Sequence, residues 1–439
     1  MPSITNSLPK GERVGMAFSG GLDTSTAMLW MRMNGAIPIA YLVDLGQDTP
    51  KRLGEAASKA LEFGAERVNL LDCKGAIAEL GLVVLQCRAF SVQTSNCFYY
   101  NTTPISRIVI GTAASLLMKE EGVKYWSDGS THKGNDIERF FRYSTIVNPT
   151  IKFYKPWLDS RFVRELGGRK EMYEFLRSHN FKPETSEQET FSIDSNLLGS
   201  TFEAKMIERL DYSTKDVFSQ RLTAKPQNGN LSSSEIVTVV FEKGRPISIN
   251  GQQLRPVELF WCLNSVGKEY GLGVSDQIED RIIGLKSRGI YEAPAMHILF
   301  TAFERLVTSI CDWQTIRQHR ALGLVLGKML YDGDWFSPSA VLIRKALMSS
   351  VSNLISGEVT LELKMGGCCT ILDTYSPKLS YDSTKLSMEK GASEFAVSDR
   401  LGQLNLVRPQ MGGVRSKTKE YVRLGLLCFD GCGIPTSHS

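Results

Sequence analysis

In the first third of the chain, short apolar runs alternate with longer segments in which apolar residues repeat at helical spacing. The predicted strands are 13–18, 37–43, 68–71 and 123–126, and the predicted helices are 24–33, 53–61 and 105–119. Such alternation of strand and helix predicts an α/β fold with an open, mostly parallel sheet and helices on both faces.

Beyond about residue 190 the pattern becomes mixed. Two pairs of strand-like segments flank glycines and predict antiparallel hairpins: 237–241 with 247–249, and 359–363 with 370–372. Helical patterns at 256–266 and 293–331 lie between the hairpins, so this part is predicted to be α+β. A stretch rich in Ser, Thr and Asn at 211–235 predicts a long loop or an inserted surface segment. The polar, glycine-rich residues 411–439 predict a tail or an arm.

The charge balance, the apolar runs and the cysteine and histidine spacing together indicate which partners and cell compartments to expect. Fifty-one basic and 47 acidic residues leave a net charge of +4 over 439 residues, which is too weak to favour a nucleic-acid partner. No apolar run approaches the roughly 18 residues that cross a bilayer, and the first residues lack the apolar segment of a secretory signal. The nine cysteines contain no Cys-x-x-Cys pair, and the five histidines have no metal-binding spacing. We therefore expect a cytoplasmic protein with small-molecule partners, no membrane segment and no metal held by histidine or cysteine.

The strongest local signal is a glycine-containing turn between the first predicted strand and the first predicted helix. It reads Ala17-Phe18-Ser19-Gly20-Gly21-Leu22-Asp23-Thr24-Ser25. Its glycines let the backbone approach an anion, its hydroxyl groups offer donors, and the helix N-terminus adds its positive dipole end. It lacks the Gly-Lys-Ser/Thr ending of a Walker loop, and an ordinary N-capped helix is the alternative interpretation. Asp23 favours a phosphate site, because a carboxylate is best explained there if it orients the loop or if Mg²⁺ bridges it to phosphate.

This turn resembles the PP-loop of the ATP pyrophosphatase superfamily, whose members cleave ATP between the α- and β-phosphates. Within the superfamily the chain resembles the argininosuccinate synthase family along nearly its whole length, and its longer bacterial-type branch most closely. The matching segments are Ser19–Ser25, Asp128–Phe140, Lys155–Trp157, Ser192–Leu197 and Lys286–Glu292. The second segment also places amide, hydroxyl, carboxylate and guanidinium groups within a dozen positions, as a site for a zwitterionic substrate requires.

The resemblance implies an architecture and an assembly. It implies a parallel-sheet PP-loop nucleotide-binding domain, a second α+β synthetase domain and a C-terminal arm, which we place at 1–189, 190–410 and 411–439. It also implies a homotetramer, with the arm as a candidate contact between subunits.

The resemblance implies a reaction as well. Citrulline and aspartate would be joined with ATP and Mg²⁺ through a citrulline-adenylate, which gives argininosuccinate, AMP and pyrophosphate. Two alternatives stay open: a PP-loop enzyme that modifies RNA by adenylating a base, and a nucleotide-binding sensor without chemistry. The first predicts paired catalytic cysteines and a basic face, and the second predicts substituted substrate ligands.

By the same resemblance, three groups of residues are expected to bind the substrates. For ATP they are Ala17, Phe18, Ser19, Gly20, Gly21, Leu22, Asp23, Thr24, Ser25, Val43, Gly129, Thr131, Asp136 and Asp194. For aspartate they are Thr131, Asn135 and Asp136, with Thr103 and Arg107 as further partners. For citrulline they are Tyr99, Asn135, Arg139, Ser192, Thr201, Glu203, Glu279 and Tyr291. Asp23 and Asp136 are expected to be catalytic, and Val43 is expected to meet adenine through its backbone.

Overall fold

The computed structural model describes residues 3–90, 99–181, 191–217, 233–380, 382 and 395–424. The chain forms two compact units, Met1–Ser380 and Tyr381–Ser439. Within the described ranges, no helix carries an apolar stretch long enough to cross a membrane.

A six-stranded sheet organises the first part of the chain. Its strands are β1 (Ser3–Thr5), β2 (Arg13–Ala17), β3 (Ile37–Asp44), β4 (Val68–Asp72), β5 (Tyr125–Asp128) and β6 (Lys152–Tyr154). The helices of this part are α1 (Leu22–Met33), α2 (Pro50–Glu62), α3 (Lys74–Gln86), α4 (Thr103–Glu120), α5 (Asp136–Val147), α6 (Ser160–Leu166) and α7 (Arg169–Ser178). The strands lie in the order β1-β6-β5-β2-β3-β4, and each neighbouring pair is parallel, which confirms the predicted parallel sheet.

Successive strand residues alternate between two apolar layers, because side chains of a strand leave opposite faces of the sheet. On one face Met16 and Leu42 pack in a core that contains Met28 of α1. On the other face Tyr41 packs in a core that contains Met118 of α4. Helices therefore cover both faces, as the alternating pattern predicts.

Antiparallel sheets form the later part of the first unit. Their strands are β7 (Ser192–Asn196), β8 (Gly199–Glu203), β9 (Ser234–Glu242), β10 (Arg245–Ile249), β11 (Gln252–Gln253), β12 (Val274–Asp280), β13 (Lys286–Glu292), β14 (Gly357–Lys364) and β15 (Cys368–Tyr375). One sheet has the order β12-β13-β8-β7, and the other has the order β11-β10-β9-β14-β15. The helices are α8 (Lys215–Val217), α9 (Pro256–Glu269), α10 (Pro294–Ile310), α11 (Trp313–Asp332) and α12 (Pro338–Ser350).

Both predicted hairpins are confirmed. β9 and β10 turn at Gly244 (φ +78°), and β14 and β15 turn at Gly366 and Gly367 (φ +87° and +80°), left-handed conformations that glycine adopts without strain. The helical pattern at 293–331 forms two helices. The second begins where the Asp312 carboxylate accepts hydrogen bonds from the first free backbone N–H groups of α11.

The second unit contains α13 (Val397–Arg423), which has Pro409 within it. The predicted arm at 411–439 therefore begins inside a helix. Three predicted features lie wholly or partly outside the described residues: the boundary at 189–190, the loop at 211–235 from residue 218 to 232, and the end of the arm at 425–439. The division into 1–189, 190–410 and 411–439 stays a prediction.

Candidate active site

A cleft of about 530 Å³ opens at the carboxyl ends of the parallel strands. The chain runs from β2 outward to β3 and β4 and then continues with β5 on the other side of β2, so the order of the strands reverses there. Open α/β sheets bind ligands at such a reversal. Of the predicted site residues, the lining contains Ala17, Phe18, Ser19, Gly21, Asp23, Thr24, Val43, Arg107, Gly129, Asp136 and Asp194.

The predicted phosphate loop, residues 17–25, connects β2 to α1 through Gly20, which has φ +76°. Ser19 Oγ lies 3.2 Å from Thr24 Oγ1, and Ser25 Oγ donates to the carbonyl of Gly20 at 3.3 Å. Gly21 is the N-cap of α1 and has no side chain that could cap the helix. The backbone N–H groups of the first turn are therefore available to an anion, with the helix dipole in support.

Two residues of the loop differ in their surroundings. Leu22 is buried in the core beneath the loop, so only its backbone can meet a ligand. Asp23 is half-buried, and burial raises the pKa of its carboxyl while the positive charge of Arg169 opposes that rise. Arg169 begins α7 and donates to Ser192 Oγ at 3.0 Å. A cation therefore stands beside the phosphate loop and next to a predicted citrulline residue.

A buried ion pair holds the loop that follows β5. Lys155 Nζ contacts the carboxylate of Asp128, and both side chains are at most 2% exposed. Asp128 also accepts a hydrogen bond from Trp126 Nε1 at 2.6 Å. A Cβ at Gly129 would lie 2.9 Å from Thr24 Cγ2, so the absence of a side chain lets this loop pack on the start of α1.

Arg107 of α4 joins two carboxylates that are remote in sequence. Its guanidinium contacts Asp194 and donates to Asp136 Oδ2 at 2.9 Å. Thr103 Oγ1 donates to Asp194 Oδ2 at 3.2 Å, and Arg139 donates to Asp136 Oδ1 at 3.1 Å. Burial opposes ionisation of Asp136, but Arg107 and Arg139 outweigh it and hold the pKa of this carboxyl below its ordinary value. Asp136 is therefore ionised at neutral pH.

A second network surrounds the buried carboxylate of Glu279 on β12. Tyr99 Oη donates to Glu279 Oε2 at 2.6 Å, and Tyr331 Oη donates to Oε1 at 2.8 Å. Asn135 Nδ2 donates to Tyr331 Oη at 2.9 Å, and Asn135 Oδ1 accepts from the backbone N–H of Ile282 at 2.8 Å. Asn135 is the N-cap residue of α5, but these bonds commit its side chain to the site instead of the helix end.

Arg139 connects the two networks. Besides its bond to Asp136, Arg139 Nε donates to the carbonyl of Tyr331 at 2.8 Å, and the guanidinium lies 4.8 Å from the centre of the Tyr331 ring. Its Nη2 atom is buried and has no hydrogen-bond partner in the described part of the chain. A buried donor without a partner costs free energy, so this atom is a candidate to bind a substrate oxygen.

Two further predicted citrulline residues join these networks from neighbouring strands. Thr201 of β8 has its Oγ1 atom 3.1 Å from Thr103 Oγ1. Tyr291 of β13 has its ring centre 4.9 Å from that of Tyr99. Both side chains are buried, so they form a wall of fixed shape.

Glu203 of β8 is the predicted site residue whose carboxyl titrates close to neutral pH. The pKa of its carboxyl is raised to about 7. Desolvation is the largest cause, and the negative charges of Asp136 and Asp194 are the next. Its side chain is still exposed to water, and it accepts no hydrogen bond from the described residues. Because solvent weakens both effects, a bound cation would readily restore the ionised form.

Thr131 is not among the residues that line the cleft. It lies in a turn that is closed by a hydrogen bond from the backbone N–H of Gly134 to its carbonyl at 3.0 Å. Ser192, which accepts from Arg169, and the exposed Glu203 lie outside the loop, the two networks and the wall of Thr201 and Tyr291.

Sequence reasoning missed Arg169, Tyr331 and Gln47, which all lie in or beside the site. Arg169 and Tyr331 belong to helices whose sequence carries no local sign of a site, and Tyr331 meets Asn135 across 196 positions of sequence. Gln47 had a usable signal, because it follows the carboxyl end of β3, and open α/β sheets bind their ligands at the carboxyl ends of strands.

Mg²⁺ fits the phosphate loop only if a bound phosphate compound supplies part of its coordination. In the described ranges, no group of three or more His, Cys, Asp or Glu side chains could hold a metal ion. Mg²⁺ usually binds one or two carboxylates and takes its other ligands from phosphate and water. Asp23, beside an open helix N-terminus, is such a carboxylate.

Solved structures of other proteins are similar to part of the chain. One is a predicted subunit of tRNA methyltransferase from Methanocaldococcus jannaschii, at 18% identity and a TM-score of 0.24, over 39% of this chain and 91% of that chain. Another is a 4-thiouridine synthetase in complex with RNA and bound ATP, at 13% identity and a TM-score of 0.27, over 40% of this chain and 44% of that chain.

Family models match most of the chain. The model of the arginosuccinate synthase N-terminal HUP domain matches residues 13–181, which contain the phosphate loop and strands β2 to β6 of the parallel sheet. The model of the arginosuccinate synthase C-terminal domain matches residues 191–407, which contain both antiparallel sheets. With both domains present in order, the chain belongs to the argininosuccinate synthase family.

Proposed function

We propose that this chain is a carbon–nitrogen ligase that joins citrulline to aspartate and converts ATP to AMP and pyrophosphate. The observation that carries the proposal is that the phosphate loop and the Arg107 network, with Asp136 and Asp194, line one cleft. A reaction that activates an amino acid with ATP requires both in one place, because the reacting atoms must meet within a few ångströms.

The chemistry explains why activation comes first. The ureido carbon of citrulline is a poor electrophile, because its nitrogens donate into the carbonyl, and its oxygen is a poor leaving group. In the proposed first step the ureido oxygen attacks the α-phosphorus of ATP, and the bond to the β-phosphate breaks. In the second step the aspartate amine attacks the ureido carbon and loses a proton, and AMP leaves with the former ureido oxygen.

The phosphate loop would bind the departing pyrophosphate. The uncapped N–H groups of α1 and the hydroxyls of Ser19, Thr24 and Ser25 suit the two adjacent phosphoryl groups of pyrophosphate, and Arg169 adds positive charge. Mg²⁺, held by Asp23 and the phosphate oxygens of ATP, would supply further positive charge there.

Side chains would bind the two amino acids. Glu203 and Glu279 suit the ammonium of citrulline, and the free Nη2 atom of Arg139 suits one of its oxygens. The citrulline pocket would be completed by Thr201, Tyr99, Tyr291, Asn135 and Ser192. For aspartate, the ionised Asp136 suits the amine, and Thr131, Asn135, Thr103 and Arg107 would position the remainder.

The test is the formation of AMP and pyrophosphate by the purified protein. We expect pyrophosphate release to require citrulline, and argininosuccinate formation to require aspartate as well. Asp23→Ala should abolish release and leave stability nearly unchanged, because the raised pKa of this carboxyl shows that its ionised form does not stabilise the fold. Asp211→Asn, at an exposed pair with Arg209, is the matched control and should keep full activity. Release that is independent of citrulline would contradict the proposal and favour an RNA-modifying enzyme, and no release would favour a nucleotide sensor.

The family resemblance also supports a homotetramer in the cytoplasm, which we include in the proposal. Light scattering on the eluted protein should give four times the mass of one chain. A mass equal to one chain or two would contradict the tetramer and leave the proposed reaction untouched.

A further inference from the structure

Among the described residues, no neighbouring strand pairs with the backbone groups at one side of the end of β3. β2 and β3 pair as far as Ala17 and Tyr41, and the N–H of Phe18 still donates to the carbonyl of Tyr41 at 3.0 Å. β2 then leaves the sheet to form the phosphate loop. The carbonyl of Val43 lies on the same side of β3, since hydrogen-bonding groups alternate sides along a strand with a period of two residues. This side of β3, from Val43 to Leu45, is the open edge.

The side-chain amide of Gln47 occupies the open edge. The backbone N–H of Leu45 donates to Gln47 Oε1 at 2.7 Å, and Gln47 Nε2 donates to the carbonyl of Val43 at 3.3 Å. The amide has one consistent orientation, because the reverse would set its NH₂ group against an N–H and its oxygen against a carbonyl. Gln47 is half-buried and lines the cleft beside the phosphate loop.

The pair of groups that Gln47 presents is the pair on the Watson–Crick edge of adenine. Adenine carries an amino donor, N6, next to an acceptor, N1, and these groups match the Val43 carbonyl and the Leu45 N–H. Guanine carries the opposite pair, an O6 acceptor next to an N1–H donor, and would leave both backbone groups without a partner. The open edge therefore selects adenine over guanine. The amide of Gln47 offers the same donor and the same acceptor to the edge as adenine does.

The open edge is fixed in place, whereas the side chain of Gln47 can rotate. The carbonyl of Leu45 accepts a hydrogen bond from Leu197 N at 2.8 Å, and the N–H of Gly46 donates to Asp44 Oδ1 at 2.9 Å. Gly46 has φ +78°, and a Cβ there would lie 3.2 Å from Leu197 Cβ. A nucleotide can therefore reach the edge by side-chain rotation alone, without a shift of the strand.

On the basis of the proposed function, we propose that the amide of Gln47 stands in for adenine in the nucleotide-free protein and rotates away when ATP binds. When a side chain occupies the edge, only the molecules with an open edge can bind nucleotide. The apparent affinity is then the intrinsic affinity multiplied by the fraction of such molecules. The occupied form gains two neutral hydrogen bonds, of which each is worth little against water, so we expect a reduction of about fivefold.

The test is the affinity of Gln47 variants for AMP and for pyrophosphate, measured by titration calorimetry. Gln47→Met keeps a side chain of similar length without the amide, and Gln47→Ala removes it altogether. Both should bind AMP about fivefold more tightly than the unaltered chain, with no change for pyrophosphate, since the edge lies outside the phosphate loop. Thr49→Ala is the matched control. It removes the side chain that accepts from Arg52 N at the start of α2, and so loosens the same segment without freeing the edge.

Equal or weaker AMP binding by both Gln47 variants would overturn the inference, and so would equal tightening by Thr49→Ala. Citrulline-dependent pyrophosphate release by the unaltered chain tests the proposed function separately. A chain that is active but shows no tightening in the Gln47 variants would therefore sink this inference alone.

Discussion

The phosphate loop and the wall proposed to face citrulline differ in the kind of group that they offer. The loop uses backbone N–H groups and small hydroxyls from one continuous stretch, residues 17–25. The citrulline wall, which we define as Tyr99, Asn135, Arg139, Thr201, Glu203, Glu279, Tyr291 and Tyr331, uses side chains from distant parts of the chain. A backbone site depends on close approach and is damaged by added atoms, whereas a side-chain site depends on pairing and is damaged by removed atoms.

The largest effect is expected where the two regions meet, at Arg107. Arg107→Met leaves Asp136 and Asp194 without their shared cation, so the free energy of unfolding should fall by about 3 kcal/mol and activity should fall by about 1000-fold or more. Chemical denaturation and initial rates measure the two quantities. Arg245→Met removes an exposed pair with Glu79 and should change neither. Equal effects of both variants on stability and activity would show that the ion pairs of Arg107 matter no more than an exposed surface pair.

An added atom at Gly129, which packs on Thr24, should damage the phosphate loop. The new Cβ of Gly129→Ala meets Thr24 Cγ2, so the start of α1 must shift, and kcat/KM for ATP should fall by about 100-fold. The double variant with Thr24→Ser, which lacks the clashing methyl, should recover much of the loss. Gly54→Ala, which meets open space within α2, is the control and should stabilise the protein by up to about 1 kcal/mol. A Gly129→Ala protein with normal kinetics would refute the close approach.

A removed atom should damage the citrulline wall at Tyr331. Tyr331→Phe deletes the hydroxyl that donates to Glu279 and accepts from Asn135, so KM for citrulline should rise by about tenfold while KM for ATP stays unchanged. Tyr375→Phe, at an exposed position, should alter neither constant. An equal rise in both KM values would mean that the two regions are not separate in function.

The smallest effect is expected in the pH dependence of citrulline binding. The pKa of Glu203 is raised to about 7, and the ammonium of citrulline pairs with its ionised form, so KM for citrulline should fall as pH rises through about 7. Glu203→Gln should remove this dependence. A profile that Glu203→Gln leaves intact would assign the titration to another group.

Glu292 provides a matched control, because desolvation also raises the pKa of its buried carboxyl to about 7. Its pKa in the folded chain lies above the unfolded value, so the folded state binds more protons between them, and stability falls as pH rises from about 4.5 to about 7. Glu292→Gln should therefore raise stability at pH 8, measured as the denaturation midpoint, and leave the KM profile unchanged.

The sequence predicts the two regions unequally, for a physical reason. The phosphate loop can be recognised because its donors, its glycines and its helix start are neighbours in sequence. Most members of the citrulline wall were predicted by family resemblance alone, since a lone Glu203 or Tyr99 looks like any other surface or core residue. Tyr331 and Arg169 escaped because only the packing of α11 and α7 brings them to the site.

The fold likewise has parts with a local signal and parts without one. Period and glycine placement predicted the parallel sheet and both hairpins, because strands and turns are local. The register that brings β7 and β8 beside α4, and with it Asp194 and Thr201 beside Thr103, depends on contacts across more than ninety positions and has no local sign.

The central claim is that citrulline is activated through its ureido oxygen. The most direct measurement is mass spectrometry of the AMP that forms from citrulline with heavy oxygen in that group, in the presence of ATP and aspartate. The account predicts one heavy oxygen in each AMP released. Unlabelled AMP, or ADP and phosphate in its place, would contradict it.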